Sequence, residues 1–276
     1  MKTKACLFSF LFFVFHFYII LIPTAGAATK IMPLGDSITW DDRGDDDRDD
    51  GEKVAYRYRL WQLLTNAGYE INFVGSKYTG YDIFPDAENE GHPGWRADEI
   101  VAGRSGSGEG KLSDWLIAEE PNIVLLHIGT NDISSNNENW NEVEAILVVI
   151  DDYESVSGKA VWVVLSLIID RSCVPPLAPP CPKSLETTNF NNDVKDFVFF
   201  PRQAGGDNII LVNMQNDAGI DYHQWIFGGD MYDDLHPFRT GYAKMANLWF
   251  TALKDILPPI NHSQSLSPPT GFRILP

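Results

Sequence analysis

Five short stretches of this chain are apolar without alternation: Lys30–Leu34, Glu70–Gly75, Asn122–Ile128, Ala160–Ile168 and Asn208–Met214. A strand wetted on one face alternates with period two, whereas a continuous apolar run suits a parallel sheet covered on both faces. Helical patterns lie between the runs. Val54–Asn66 stops before Gly68 and Trp140–Ser157 before Gly158, a third spans Thr188–Phe200, and Tyr242, Met245, Leu248, Trp249, Ala252, Leu253 and Ile256 mark one face of a last one. Strands that alternate with helices imply right-handed βαβ units. The expected fold is a three-layer α/β/α sandwich with a five-stranded parallel, flavodoxin-like sheet over residues 28–258. In such sheets ligands bind beyond the carboxyl ends of the strands, so the segments that follow each run are where chemistry is sought.

The rest of the chain frames that domain. Lys2 and Lys4, the apolar run Ala5–Ile22 and the small residues Ala25-Gly26-Ala27 form a secretory signal over residues 1–27, and a secreted protein free of the membrane after cleavage is expected. The run is nearly long enough to span a bilayer, which keeps an uncleaved anchor as the alternative. With 21 Lys plus Arg against 38 Asp plus Glu, the net charge of -17 repels nucleic acid and anionic lipid. Cys6 lies in the signal, leaving Cys173 and Cys181 to close a proline-rich loop as one disulfide in an oxidising compartment, with free thiols as the alternative. Neither has a further Cys or His at ligand spacing, so no metal is expected there. Residues 259–276 read as a Ser/Pro-rich linker whose end resembles the first strand of a fibronectin type III module, so a further downstream module is expected. Asn261-His-Ser263 fits a glycosylation acceptor. A monomer is expected.

Three segments beyond strand ends carry chemistry. Ser37, in Ile31-Met-Pro-Leu-Gly-Asp-Ser-Ile-Thr39, follows the first run where backbone N–H groups gather, although a helix-capping serine reads the same way. Asn131, in Ile128-Gly-Thr-Asn-Asp132, can aim its amide into the same cleft, and an ordinary Asn-Asp turn is the bland alternative. In Asp233-Asp-Leu-His236-Pro237, His236 can take a proton from Ser37 while a nearby carboxylate, Asp233 or the adjacent Asp234, holds the ring. The stretch Asp41–Glu52 holds eight acids against Arg43 and Arg48. A solvated loop is the favoured reading and a calcium site the alternative. Ser105–Leu112 lacks the first glycine and final hydroxyl of a phosphate loop, and the Ser37 segment lacks the second glycine of an α/β-hydrolase elbow.

In these blocks the chain resembles the SGNH, or GDSL-type, hydrolases: Gly35-Asp36-Ser37, then Gly94 within Gly91-His-Pro-Gly-Trp95, then Gly129-x-Asn131-Asp132, then Asp233-x-x-His236, in family order. The wording of these blocks, with Phe73-Val-Gly-Ser76 and Leu235-His-Pro-x-x-x-Gly-Tyr-Ala-Lys-Met245, looks like carbohydrate esterase family three, the acetyl xylan esterases. The resemblance implies Ser37 as nucleophile, His236 as base, Asp233 as its orienter, and an oxyanion hole of Ser37 N–H, Gly94 N–H and the Asn131 amide, with no cofactor required. It implies acetylated polysaccharide or oligosaccharide as substrate. Trp40 and Trp95, directly after the nucleophile and oxyanion segments, are candidates to offer aromatic faces to sugar rings, with burial in the core as the alternative for each. The chain departs from the pattern after Ser-Ile-Thr39, where Trp40 and the acidic stretch replace a short turn. The rival readings are a lipid esterase or thioesterase on the same scaffold and a non-catalytic carbohydrate-binding surface module.

Overall fold

The computed structural model describes residues 27–44, 46–173 and 182–258. The signal expected over residues 1–27, Cys181 and the linker 259–276 lie all or almost wholly outside these residues. The chain begins with β1 (Thr29–Gly35), α1 (Ser37–Trp40), α2 (Arg57–Asn66), β2 (Ile71–Phe73), β3 (Lys77–Tyr78) and β4 (Glu88–Gly91). It continues through α3 (Ala97–Ala102), α4 (Leu112–Glu119), β5 (Ile123–His127), α5 (Thr130–Ser134), α6 (Trp140–Ser157) and β6 (Trp162–Leu167). Then come α7 (Pro182–Asp193), a π-helical stretch over Val194–Phe199, α8 (Phe200–Gly205), β7 (Ile209–Asn213), α9 (Met214–Asp217) and α10 (Arg239–Leu253).

The five expected strands pair in parallel in the order β2-β1-β5-β6-β7, the flavodoxin-like arrangement. The sheet is larger than expected, with seven strands rather than five. The addition is β4, parallel to the last residues of β1, with the two-residue β3 antiparallel to it. Both come from the stretch Lys77–Trp95, rich in aromatic residues and glycine, which carries no continuous apolar run.

β2 and β4 share one edge of β1: β2 is in register with Thr29–Ile31 and β4 with Leu34 and Gly35. Ile31 O accepts from Val74 N at 2.9 Å and Gly35 O from His92 N at 2.9 Å, both on this edge. Main-chain groups alternate sides along a strand, so Pro33 faces the junction where β2 has ended and β4 begins. A residue with no N–H to donate therefore sits in a central strand where no donor is called for.

Side chains of the central strands alternate between two apolar cores. Met32, Leu34, Val124, Leu126, Val163 and Leu165 pack with α3, α4, α6 and the α7 region, while Ile31, Ile123, Leu125, Val164 and Val212 pack with α2 and α10. These are the two outer layers of the sandwich. The helix expected over Thr188–Phe200 starts earlier, at Pro182, and runs through the π-helical stretch to Gly205. Among the described residues no helix is long and apolar enough to cross a membrane.

Candidate active site

Asp36 follows β1 and caps α1, its Oδ1 accepting from Ile38 N at 2.9 Å, so Ser37 becomes the first residue of a one-turn helix at the carboxyl end of a central strand. The turn is tight. A Cβ on Gly35 would stand 2.4 Å from His127 O and 2.5 Å from Thr39 Oγ1, so only glycine fits. Burial pushes the Asp36 carboxyl up to about 6, against the opposing pull of the Ile38 N–H and His236.

Ser37 Oγ lies 2.9 Å from His236 Nε2, and His236 Nδ1 lies 2.8 Å from Asp233 Oδ2. The other Asp233 oxygen accepts from Leu235 N at 2.7 Å and His236 N at 2.6 Å, which folds the turn around the carboxylate. Asp234 makes no bond to the ring; its carbonyl accepts from Ser172 N at 3.1 Å. Asp233 is therefore the carboxylate that meets the ring. Burial alone depresses an imidazole, but the hydrogen bond and charge of Asp233 outweigh it, and with Asp36 and Asp234 they raise His236 above its ordinary value. Burial likewise pushes Asp233 up, and its bonds to His236 reverse that and hold it below the usual carboxylate range. A hydroxyl bonded to an imidazole whose far nitrogen is anchored by a carboxylate can lose its proton as it attacks an electrophile.

Three candidate donors reach the same strand ends. Gly35 is in register with both Gly91 of β4 and His127 of β5, so the segments holding Ser37, Gly94 and Asn131 leave adjacent strands side by side. Among the described residues no acceptor engages the N–H of Ser37 or of Gly94. Gly94 has φ 75°, a left-handed backbone that frees its N–H, and its carbonyl accepts from Arg104. Asn131 Nδ2 donates to Trp95 O at 2.8 Å, and both Asp132 oxygens accept from Ala97 N at 3.3 Å, so α5 grips the Gly94 segment at two points. Burial, reinforced by Glu142, lifts Asp132 to about 8.

The two tryptophans part company. Trp40 is half-buried, with the Lys77 ammonium 5.9 Å from its ring centre. Trp95 is only 2% exposed and belongs to the core, 4.4 Å from the His92 ring and 6.1 Å from Trp115, so the sugar-facing role expected of it is corrected: its carbonyl, not its ring, serves the site.

The acidic stretch is also corrected. It is no merely solvated loop, because Asp41 and Asp46 are buried and paired with Arg48, while Lys53 meets Asp42 and Asp50. Among the described residues, the three acids placed to hold a metal ion are Asp98, Asp132 and Glu142, with one oxygen each within 4.8 Å of the others. Cys173 is disulfide-bonded, while Cys181, its expected partner, lies outside the described residues.

Two residues near the site were not singled out from the sequence. His92 is fully buried, with Nε2 at 2.6 Å from Glu90 and Nδ1 at 2.8 Å from Glu109. Arg57, on α2, is buried without a carboxylate and donates to the carbonyls of Thr39, Trp40, Lys53, Thr79 and Ala87. The cue to the first was a histidine amid acids in Glu90-Gly-His92. Nothing in the sequence separates Arg57 from a surface arginine.

The family model of GDSL-like lipases and acylhydrolases matches residues 31–249, a span that contains every element of this site. The chain belongs to that family. The family is one of carboxylic ester hydrolases, and the chain resembles the family 3 carbohydrate esterases within it. The solved family 3 carbohydrate esterase of Clostridium thermocellum is 30% identical, with a TM-score of 0.60 over 83% of this chain and 96% of that one. A family 3 structure from Talaromyces cellulolyticus, 21% identical with a TM-score of 0.59 over 82% of this chain and 97% of that one, shares the fold. A multidomain esterase of Ruminococcus flavefaciens is 26% identical over 264 residues, which make up 90% of this chain and 31% of that protein. The chain thus spans about a third of that relative's length.

Proposed function

We propose that this chain is an exported serine esterase that removes acetyl groups from plant polysaccharide such as acetylated xylan. The observation that carries the reading is the unbroken hydrogen-bond path Ser37–His236–Asp233 at 2.9 and 2.8 Å. Ser37 Oγ attacks the ester carbonyl as its proton passes to His236 Nε2, and the N–H groups of Ser37 and Gly94 with the Asn131 amide receive the charge on the carbonyl oxygen. Collapse expels the sugar alkoxide, which takes the proton from His236 and leaves an acetyl-serine. Water then attacks that ester, His236 accepts its proton, and collapse releases acetate and returns the proton to Ser37.

The carbohydrate part of the reading draws on the names of the Clostridium and Talaromyces esterases and on half-buried Trp40 beside the nucleophile. The export part draws on the signal-like sequence of residues 1–27. The test is release of acetate from acetylated xylan and hydrolysis of 4-nitrophenyl esters, each with Ser37→Ala as control. Acetyl esters turn over and activity falls steeply toward butyryl and longer chains. Preference for octanoyl esters would instead favour a lipid esterase, and activity in Ser37→Ala within tenfold of wild type would sink the mechanism.

A further inference from the structure

Ester hydrolysis leaves the acidic stretch after the nucleophile segment without a role, yet its side chains form a continuous run of contacts. Asp41 closes α1 with φ 77°, its N–H donating to Ser37 O at 2.8 Å. Its carboxylate accepts from Arg48 Nη1 and Nη2 at 3.0 Å each, and from Val54 N at 3.0 Å and Ala55 N at 3.1 Å. The Arg48 guanidinium also binds Asp46, Nε to Oδ1 at 2.9 Å, and Asp46, with its side chain 1% exposed, accepts from Arg43 Nε at 3.2 Å. The Arg43 guanidinium lies 3.7 Å from the centre of the Tyr232 ring. Tyr232 N donates to His236 O at 2.7 Å, and the residue after Tyr232 is Asp233.

The run therefore begins at the helix of Ser37 and ends at the turn of His236. These two segments are far apart in sequence, and the second hangs on a long irregular stretch between α9 and α10. We propose that Asp41, Arg43, Asp46 and Arg48 act as a strap that fixes the approach of His236 to Ser37, with Arg43 as the positioning residue that sets the Asp233–His236 turn through the ring of Tyr232. The proposal rests on the reading of Ser37 and His236 as the reacting pair.

The residue types fit the task. A flat guanidinium can cover an aromatic face while its Nε still donates to a carboxylate, and an ammonium cannot do both in one geometry. Burial raises the Asp46 carboxyl, but its bonds to Arg48 and Arg43 outweigh this and hold it below the usual range, so the strap stays ionised. A run of linked, half-buried ion pairs loses less side-chain entropy per contact than isolated surface pairs.

The test is steady-state kinetics with 4-nitrophenyl acetate across pH 5 to 9, alongside melting temperatures, for Arg43→Met, Arg43→Lys, Tyr232→Leu, Tyr232→Phe and the Arg43→Met/Tyr232→Leu pair. Arg43→Met and Tyr232→Leu each lower kcat about tenfold with KM nearly unchanged, the pair is no worse than the worse single, and Tyr232→Phe keeps wild-type turnover. Arg43→Lys falls between. In Tyr232→Leu the acid limb of kcat/KM moves to lower pH, because a loosened Asp233 no longer holds His236 above its ordinary value. The other charges around His236 remain: Asp234 on its own turn, Asp36 from the nucleophile segment, and Arg171, which faces both of those carboxylates from beyond β6. Unchanged kcat and pH limb with a lowered melting temperature would overturn the proposal, and so would strictly additive effects in the pair. Ser37→Ala, measured in parallel, is inactive; if it were active, the site reading would fall, whereas an inactive Ser37→Ala beside unimpaired Arg43 variants would remove the strap alone.

Discussion

Replacing Arg57 by methionine keeps the length of the side chain and removes every donor. The guanidinium is fully buried and makes six contacts: Thr39 O at 3.0 Å, Thr79 O at 2.9 Å, Ala87 O at 3.1 Å, Trp40 O at 3.3 Å, Lys53 O at 2.8 Å and Thr79 Oγ1 at 2.8 Å. Burial lowers its pKa to about 10, so it remains charged at neutral pH. Each buried carbonyl deprived of its donor costs about 1–3 kcal/mol, which over five carbonyls would rival the whole stability of a typical domain. Two effects offset this: the variant no longer buries a charge, and water can reach part of the vacated volume. What remains of the carbonyl penalty is about 3–5 kcal/mol of destabilisation, and for a domain of this size that corresponds to a melting temperature lower by about 10 °C. Calorimetry at pH 7 measures it, with Arg57→Lys as a partial rescue that supplies three donors. A shift in Arg57→Met of less than about 3 °C would show that the carbonyls find other donors and that Arg57 does not hold the loops together.

The rate of ester hydrolysis is expected to rise with pH through a single ionisation above the ordinary histidine value, because His236 is raised; Asp233→Asn moves that limb to lower pH and lowers kcat by about two to four orders of magnitude. Asp132 titrates near 8 in the folded chain and near 4 when unfolded, so the native state holds the extra proton and stability falls as pH rises from about 4 to 8. Melting curves at pH 5 and pH 9 for Asp132→Asn are expected to show a weaker loss at the alkaline end than wild type; an equal loss would assign the pH dependence elsewhere. Gly94→Ala meets open space, its nearest neighbour being Arg104 at 3.8 Å, so the penalty comes from φ 75° alone: about 1 kcal/mol of stability and a drop in kcat with little change in KM as the donor N–H is re-aimed. An unaltered kcat there would remove Gly94 from the oxyanion hole.

The parts of this molecule that sequence exposes are those in which one residue type serves one physical end. The strands of the central sheet are continuous apolar runs because both faces are covered, and Ser37, Asn131 and His236 stand out because each follows a run or a turn signal at the sheet's carboxyl side. β4 escapes because Glu88-Asn-Glu-Gly91 has no apolar residue, and its burial is sustained by Ser76 and His92 binding Glu90 and by Asn89 binding Thr79. Trp95 misleads because proximity in sequence to Gly94 says nothing about direction: the backbone serves the cleft and the ring turns into the core. The acidic stretch is read as solvated because charge count cannot reveal that Arg43 and Arg48 are threaded among its carboxylates. Its pairs join residues up to eleven apart through side chains, beyond what local pattern records.

Consider finally the row in which Gly91, Gly35 and His127 stand abreast across three hydrogen-bonded strands. Adjacent residues along a strand differ by about 3.3 Å, so a slip of one position would carry a donor clean out of reach of the oxygen it serves. The sheet thus works as a gauge that admits one setting. The alignment of the donors should persist until the sheet itself melts, and selection on the substrate is free to act elsewhere. The tip of the segment between β3 and β4 can lengthen, shorten or exchange side chains without disturbing the gauge. In a lineage of such enzymes, new ester substrates would be met by redrawing this border around an unaltered centre.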